Sequence, residues 1–321
     1  MGNRGKNKLA IVLVGPTGVG KTELSILIAS EIPVEIVSAD SRQIYKYMDI
    51  GTAKPSNRIL SEIPHHFINI LEPDQDYSAG QFGLQARAVI DDIFQRERTP
   101  LIVGGSGLYI KALLEGFFEG DVRDEKIRKS LEKRLVREGS QSLYEELVKL
   151  DRAAAMKIHT NNSQRIIRAL EVCLAANEKF SDLQRKKLPK LNFRVLKFGI
   201  NKPRAQLYDD INRRVDQMFS DGLVEEVSGL LDRGYKKSLN SLNSVGYKEV
   251  IDYLEGSIDF ETCVDLVKQN SRRYAKRQLT WFRADHEIKW FSINEKTDIP
   301  MVAKQIIQDF QDRLKNKIIE S

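Results

Sequence analysis

The sequence predicts an α/β fold, a parallel sheet flanked by helices and interrupted by an all-helical domain. Three observations carry this. The apolar run Leu9–Val14 feeds directly into a glycine-rich octet, Gly15 to Thr22. Short apolar runs then alternate with amphipathic segments as far as about residue 114. From about Asp121 to Leu191 the chain becomes a series of charged amphipathic segments with no strand signal. Alternation of this kind specifies parallel strands joined by covering helices.

The octet is GPTGVGKT, matching G-x-x-x-x-G-K-[ST]. Gly15, Gly18 and Gly20 let the backbone wrap closely, so that successive N–H groups point inward with the positive end of the following helix behind them. Pro16, Thr17 and Val19 complete the loop, Lys21 supplies a point charge, and the Thr22 hydroxyl can reach Mg²⁺. An apolar strand before it and an apolar-periodic segment after it (Leu24, Ile26, Leu27, Ile28) place this loop in a P-loop NTPase-like sheet.

The usual nucleotide-hydrolysis partner is missing. The next candidate strand, Leu101–Val103, ends in Gly104-Gly105-Ser106-Gly107, where such enzymes place an Asp for Mg²⁺. Asp91 and Asp92 fall within a helical pattern. Asn201-Lys202-Pro203-Arg204 resembles a guanine-reading run with Arg where Asp belongs. The site suits a phosphate ester or diphosphate that is not hydrolysed as a nucleotide.

The remaining elements follow in order. Val34–Val37 reads as a strand ending in Ser38–Gln43. Asp40 there either faces the phosphate loop or caps a helix, since both fit a polar residue at a strand's C-terminal end. Tyr45–Pro55 reads as a loop too polar for core. His65 and His66 lack a third ligand at metal spacing and read as structural. Tyr77–Arg98 and Leu108–Leu114 are helical. Within the insertion, helices are expected over 125–138, 142–150, 152–158 and 163–176, ending in the basic stretch Arg185-Lys186-Lys187. Phe193–Ile200 returns to strand character, and Tyr208–Leu231 is helical, with Arg213 and Arg214 adjacent. Val264–Arg283 is a basic helix carrying Arg272, Arg273, Lys276, Arg277 and Arg283 with Tyr274, Trp281 and Phe282 interleaved. That combination suits nucleic acid. It equally describes a solvated face over a stripe of Leu266, Tyr274 and Trp281. The tail from Asn294 reads as a surface helix. The expected division is 1–120 and 193–321 as the catalytic core, with 121–192 inserted.

Composition narrows the class. At 321 residues, two domains are expected. No apolar run approaches the ~18 residues of a membrane span, and no signal-peptide core is present. Cys173 and Cys263, far apart, form neither a disulfide framework nor a zinc site, so a cytoplasmic protein is expected. The net charge of +6 is compatible with a polyanionic partner and with an ordinary basic enzyme.

Taken together, the motifs resemble the tRNA isopentenyl-transferase family. The resemblance rests on GPTGVGKT at 15–22, SADSRQIYKYMDIGTAKP at 38–55, PHHFINILEP at 64–73, YSAGQF at 77–82 and LIVGGSGLYIKALLEG at 101–116. It continues with NNSQRIIRALEV at 161–172, SVGYKEVIDYLEG at 244–256 and RRYAKRQLTWFR at 272–283. Their order is far more specific than the phosphate loop alone. One departure is Ser106, where the family more often has Thr.

The resemblance implies transfer of a dimethylallyl group from dimethylallyl diphosphate to N6 of adenosine 37 in tRNAs reading codons that begin with U. Gly15–Thr22 would hold the diphosphate, with Mg²⁺ at Thr22. Asp40 would be the catalytic base and Arg214, or less readily Arg213, the clamp. The family's tRNA contacts map to Asp40, Ser41, Arg42, Gln43, Ser106 and Arg128. They continue through Gln164, Arg165, Ile166, Ile167, Arg168, Leu242, Asn243, Ser244, Val245, Gly246 and Tyr247, and end at Lys276, Arg277, Gln278 and Arg283. The expected partner is a tRNA anticodon stem-loop, engaged by a monomer that needs no membrane. Two rivals fit less of the chain: a small-molecule P-loop kinase, and a non-catalytic RNA-binding protein with a vestigial loop.

Overall fold

The computed structural model describes residues 8–116, 124–184, 190–295 and 297–315. The expected domain start at Asp121 and the basic stretch Arg185-Lys186-Lys187 lie outside the described residues. The chain runs β1 (Leu9–Val14), α1 (Lys21–Glu31), β2 (Val34–Ser38), α2 (Asn57–Glu62), β3 (His65–His66), α3 (Ala79–Gln95), β4 (Thr99–Gly104) and α4 (Gly107–Glu115). Then come α5 (Glu125–Leu150), α6 (Arg152–Ala155), α7 (Ser163–Ala176), α8 (Phe180–Leu183), β5 (Arg194–Asn201), α9 (Arg204–Ser220) and α10 (Leu223–Asp232). The chain closes with α11 (Tyr247–Leu254), α12 (Phe260–Arg283), β6 (Lys289–Ser292) and α13 (Asp298–Lys315).

The chain divides into two compact units. One comprises residues 1–77, 85–110 and 191–321; the other comprises 78–84 and 111–190. The helical unit thus begins at 111 and borrows a short earlier segment, where the sequence suggested 121.

The first unit holds one six-stranded sheet in the order β3-β2-β4-β1-β5-β6, with every pairing parallel. Purely parallel strands are covered on both faces and read as continuous apolar runs. β1 meets this fully, since all six of its residues are buried. It lies centrally, with Val14 opposite Gly104 on one side and Gly199 on the other. The chain leaves β1 toward β2 in one direction and returns to β5 on the opposite side. A crevice therefore opens beyond the C-terminal ends of the strands, where such sheets bind ligands. The core joins Ile11, Leu13, Leu24, Ile28, Leu101 and Phe198.

Several expectations change. The C-terminal helix α13 is no plain surface helix: Ile299, Val302, Ala303, Ile306, Ile307 and Phe310 are buried, and it packs beside α1. β6, too short to read from sequence, adds an edge strand to β5. The span 208–231 is two helices, because Gly222 takes φ 101°, a value only glycine adopts freely. The 45–55 segment is irregular but not excluded from the core. Tyr45 (2% exposed) and Met48 (0%) join a second cluster with Val215, Leu242, Tyr247 and Val250.

His65 and His66 pair with Ile36 and Val37. His66 Nε2 lies 2.7 Å from Oε2 of buried Glu35, which also receives Arg96 at 2.9 and 2.7 Å.

In the helical unit α5 bends at Gly139 (φ 79°), which separates the two helices expected over 125–138 and 142–150. Asp124 caps α5 through the N–H groups of Lys126 and Ile127, and Asn162 caps α7 through that of Arg165. The core between α5 and α7 is Leu131, Leu143, Leu147, Ile166, Ile167 and Leu170. No described helix is long and apolar enough to cross a membrane.

Candidate active site

The phosphate loop leaves β1 at Gly15. Its shape is enforced at Gly18, whose φ of 79° suits glycine and where a Cβ would stand 2.9 Å from the Ile211 side chain. Lys21 folds back so that Nζ donates to the carbonyls of Gly15 (2.9 Å) and Pro16 (2.8 Å). Loss of hydration pulls its pKa down to about 7, with Asp40 opposing and Arg214 adding to the shift. Thr22 follows on the first turn of α1 with its side chain exposed.

Asp40 follows β2, whose Ser38 is opposite Val103 of β4. Its Oδ1 accepts the N–H groups of Arg42 (2.9 Å) and Gln43 (3.4 Å), forming an Asx-type turn. The segment after Asp40 is a turn and not a helix, so the helix-cap reading falls away; Asp40 shapes its own turn while lining the cavity that the phosphate loop also lines. Gln43 extends the turn: its Oε1 accepts from Ser38 Oγ at 3.1 Å, and its Nε2 donates to the carbonyls of Thr52 and Ala53. The Arg42 side chain donates to the Asn240 carbonyl at 2.7 Å. Buried Ser106 accepts the Ser41 N–H at 3.0 Å and sits 3.3 Å from the Ser41 hydroxyl.

The phosphate loop from Thr17 onward and Asp40 to Gln43 meet around one cavity of about 680 Å³. Arg214 lines it and donates to Thr17 Oγ1 at 3.0 Å, while its buried Nε finds no partner among the described residues. Burial lowers the pKa of Arg214, opposed by Asp40. Arg213 is exposed and turns instead to Asp210. Helix position separates these neighbours: successive residues on a helix point about 100° apart, so one faces the loop and the other water. Ile211, Val215, Met218 and Val267 give the same cavity an apolar wall.

The other expected contacts divide by burial. Gln164, Arg165, Asn243, Lys276, Arg277 and Arg283 are exposed, and Ser244 and Val245 are partly so. Arg128 and Arg168 both turn toward Glu171, at 3.7 and 3.1 Å. Ile166, Ile167 and Leu242 are buried in the cores of their own units, where their side chains serve packing, whereas buried Tyr247 packs in its core and also lines the cavity. Gly246 is buried at φ 97°. On α12 the apolar stripe is Cys263, Val267, Ala275 and Phe282, whereas Trp281 is 43% exposed and Leu266 only half-buried. Arg272 leaves the basic row and bonds Asn212.

Sequence reading missed Lys54 and Glu226. The Lys54 ammonium donates to Tyr45 O and to Asp49 Oδ1 (2.7 Å), fixing the 45–54 loop from inside. Glu226 accepts three backbone N–H groups of that loop. Lys54 stood inside the quoted 38–55 motif. Glu226 carried no local signal at all.

Among the described residues no cluster of three His, Cys, Asp or Glu side chains could cage a metal. The exposed Thr22 hydroxyl beside a phosphate loop suits an ion held mainly by ligand oxygens and water, as Mg²⁺ prefers.

The chain matches the family described as "IPP transferase" over residues 43–285 and that described as "Isopentenyl transferase" over residues 8–72. A tRNA dimethylallyltransferase from Natranaerobius thermophilus is 45% identical over 305 residues, covering 94% of this chain and 91% of the relative. One from Thermotoga neapolitana is 46% identical over 302 residues, covering 94% and 98%. The crystal structure of full-length tRNA isopentenylpyrophosphate transferase from Bacillus halodurans superposes with a TM-score of 0.70 at 40% identity, covering 97% of this chain and 99% of that one. A eukaryotic dimethylallyltransferase acting on tRNA gives a TM-score of 0.79 at 26% identity, covering 95% and 80%. With the phosphate loop, the Asp40 turn and Arg214 gathered on one parallel sheet, and with these matches spanning nearly its whole length, the chain belongs to the IPP transferase family of prenyltransferase enzymes.

Proposed function

We propose that this enzyme transfers the dimethylallyl group of dimethylallyl diphosphate to N6 of adenosine 37 in the anticodon stem-loop of tRNAs reading codons that begin with U. The observation that carries the reading is the pairing of an intact phosphate loop with Asp40 across one cavity. The neighbouring strand, β4, ends at Gly104 and runs on through Gly105 and Ser106, with no carboxylate where a nucleotide hydrolase has a metal-binding one.

In this reading the donor's allylic C–O bond breaks, the N6–C bond forms, the N6 proton passes to the Asp40 carboxylate, and diphosphate leaves. The adenine amine is a poor nucleophile, because its lone pair is delocalised into the ring. Orientation and a base are therefore what the protein must supply. Loop N–H groups, Lys21 and Arg214 stabilise charge as it develops on the leaving group. Thr22 would hold Mg²⁺, which supplies further charge neutralisation when bound. The apolar wall of Ile211, Val215, Met218 and Val267 suits a five-carbon tail and keeps water from the allylic carbon. A stacked base cannot reach this cavity, so the adenosine is extruded at a cost of roughly a few kcal/mol. Contacts from Arg165, Arg168, Lys276 and Arg277 offset that cost. The enzyme acts as a cytoplasmic monomer.

The test is a transfer assay with radiolabelled dimethylallyl diphosphate, Mg²⁺ and unmodified tRNA, without ATP. Label in tRNA is expected. ATP-dependent phosphorylation of a small acceptor, with no label in tRNA, would replace this reading with a kinase.

A further inference from the structure

Gln278 has no task in the chemistry above. It sits on α12 directly after Lys276 and Arg277, yet those two are exposed and Gln278 is 6% exposed. Both ends of its amide are used. Oε1 accepts the Thr17 N–H of the phosphate loop at 2.8 Å, and Nε2 donates to the Gly105 carbonyl at 3.0 Å. The fit at Gly105 leaves no room for a side chain, since a Cβ there would lie 2.1 Å from Nε2.

Each partner leads onward to a reacting group. Thr17 Oγ1 accepts from Arg214. Gly105 precedes Ser106, whose hydroxyl accepts the Ser41 N–H, next to Asp40. One buried amide therefore spans the loop expected to hold the leaving group and the loop after β4, which through Ser106 holds the turn that carries the base.

We propose that Gln278 is a positioning residue that sets the spacing between the phosphate loop and the Asp40 turn, and is not an RNA contact. The assignment rests on the diphosphate reading of the loop. In this arrangement the Thr17 N–H is committed to protein and not to a phosphate oxygen. α12 presents Lys276 and Arg277 outward and ties both loops inward, so a displacement of the helix reaches both loops at once.

Gln278→Met keeps the length and bulk of the side chain and removes both hydrogen bonds. Inorganic diphosphate with Mg²⁺ is titrated by calorimetry, tRNA binding is measured separately, and transfer is followed at saturating substrates. The expected pattern is a diphosphate Kd raised about tenfold, the equivalent of one or two net hydrogen bonds. kcat falls as well, and the tRNA Kd stays within about twofold. Gly105→Ala disturbs the same bracket from the other side, and the same pattern is expected, which keeps the test open should the first variant fold poorly. A raised tRNA Kd with unchanged diphosphate affinity would make Gln278 a direct RNA contact. A lower melting temperature with both affinities and kcat unchanged would make it packing alone. Either result overturns the assignment. The titration needs no turnover, so a wild-type chain that binds diphosphate but transfers no allyl group would sink the proposed function while the diphosphate arm still decides this assignment.

Discussion

The Tyr247 hydroxyl donates a 2.6 Å hydrogen bond to Oε1 of Glu226, and the two together hold the wall of the cavity. The same carboxylate accepts the N–H groups of Asp49 (2.8 Å), Ile50 (2.7 Å) and Gly51 (3.1 Å). Four donors on one carboxylate make a strong anchor, because charge-assisted hydrogen bonds are roughly twice as strong as neutral ones. The Tyr247 ring lies over Gly51, where a Cβ would come within 2.5 Å. Burial, then the nearby Glu226 charge, keeps the phenol protonated.

Tyr247→Phe is accordingly expected to cost about 1–2 kcal/mol of stability, the price of one buried charge-assisted hydrogen bond. It should leave the tRNA Kd within about twofold, because the side chain is buried. Urea unfolding and a tRNA titration on the same preparation check both. A large loss of tRNA affinity with unchanged stability would return Tyr247 to the RNA surface.

Asp40 can be tested without destroying its turn. Asp40→Asn keeps an acceptor for the Arg42 and Gln43 N–H groups while removing the base. Transfer is expected to fall by about 10²–10⁴, with donor binding within about threefold of wild type. Asp40→Ala should lose the turn as well and bind donor less well. Retained turnover in Asp40→Asn would confine Asp40 to shaping the turn.

Donor binding should depend on pH through Lys21. Loss of hydration, more than Arg214, lowers its pKa to about 7, and Asp40 opposes both. An arriving diphosphate favours the charged ammonium. Below about pH 7 the free enzyme already carries that charge, whereas above it binding must take up a proton. The donor Kd, corrected for the donor's own ionisation, should rise about tenfold per pH unit above 7. Calorimetry in buffers of different ionisation heat should register uptake of about one proton near pH 8. Lys21→Arg, permanently charged, should flatten the profile. A flat wild-type profile would mean that Lys21 is already charged in the free enzyme.

The exposed pair on α12 offers a salt test. Lys276→Ala combined with Arg277→Ala should weaken tRNA binding and reduce the slope of log K against log salt by about 2. An unchanged slope would take this stretch of α12 off the RNA.

Glu35 governs acid stability far from the chemistry. Arg96 hydrogen bonds, then His66, overcome the cost of burial and hold its carboxyl at about 2, below the ordinary 4.5. Its stabilisation is therefore present above about pH 4.5 and lost as pH falls toward 2. Glu35→Gln should cost about 3 kcal/mol at neutral pH, the scale of a broken buried ion pair. That difference should shrink by pH 3 in urea unfolding. An equal loss at both pH values would assign the effect to shape rather than charge.

The sequence by itself determined the phosphate loop, the parallel β-α alternation, the helical insertion and the limits of α7 at Ser163–Ala176. These depend on residues within a turn or two of one another, where apolar period, caps and glycine positions act directly. Tertiary structure alone decided which adjacent side chain faces the site: Arg214 inward and Arg213 outward, Gln278 buried beside exposed Arg277. It also decided that Ile166 and Ile167 are core, that α13 is covered, and that β6 joins the sheet. The reason is distance along the chain. Gln278 meets Thr17 across 261 positions and Glu226 meets Gly51 across 175, and no local periodicity encodes either pairing.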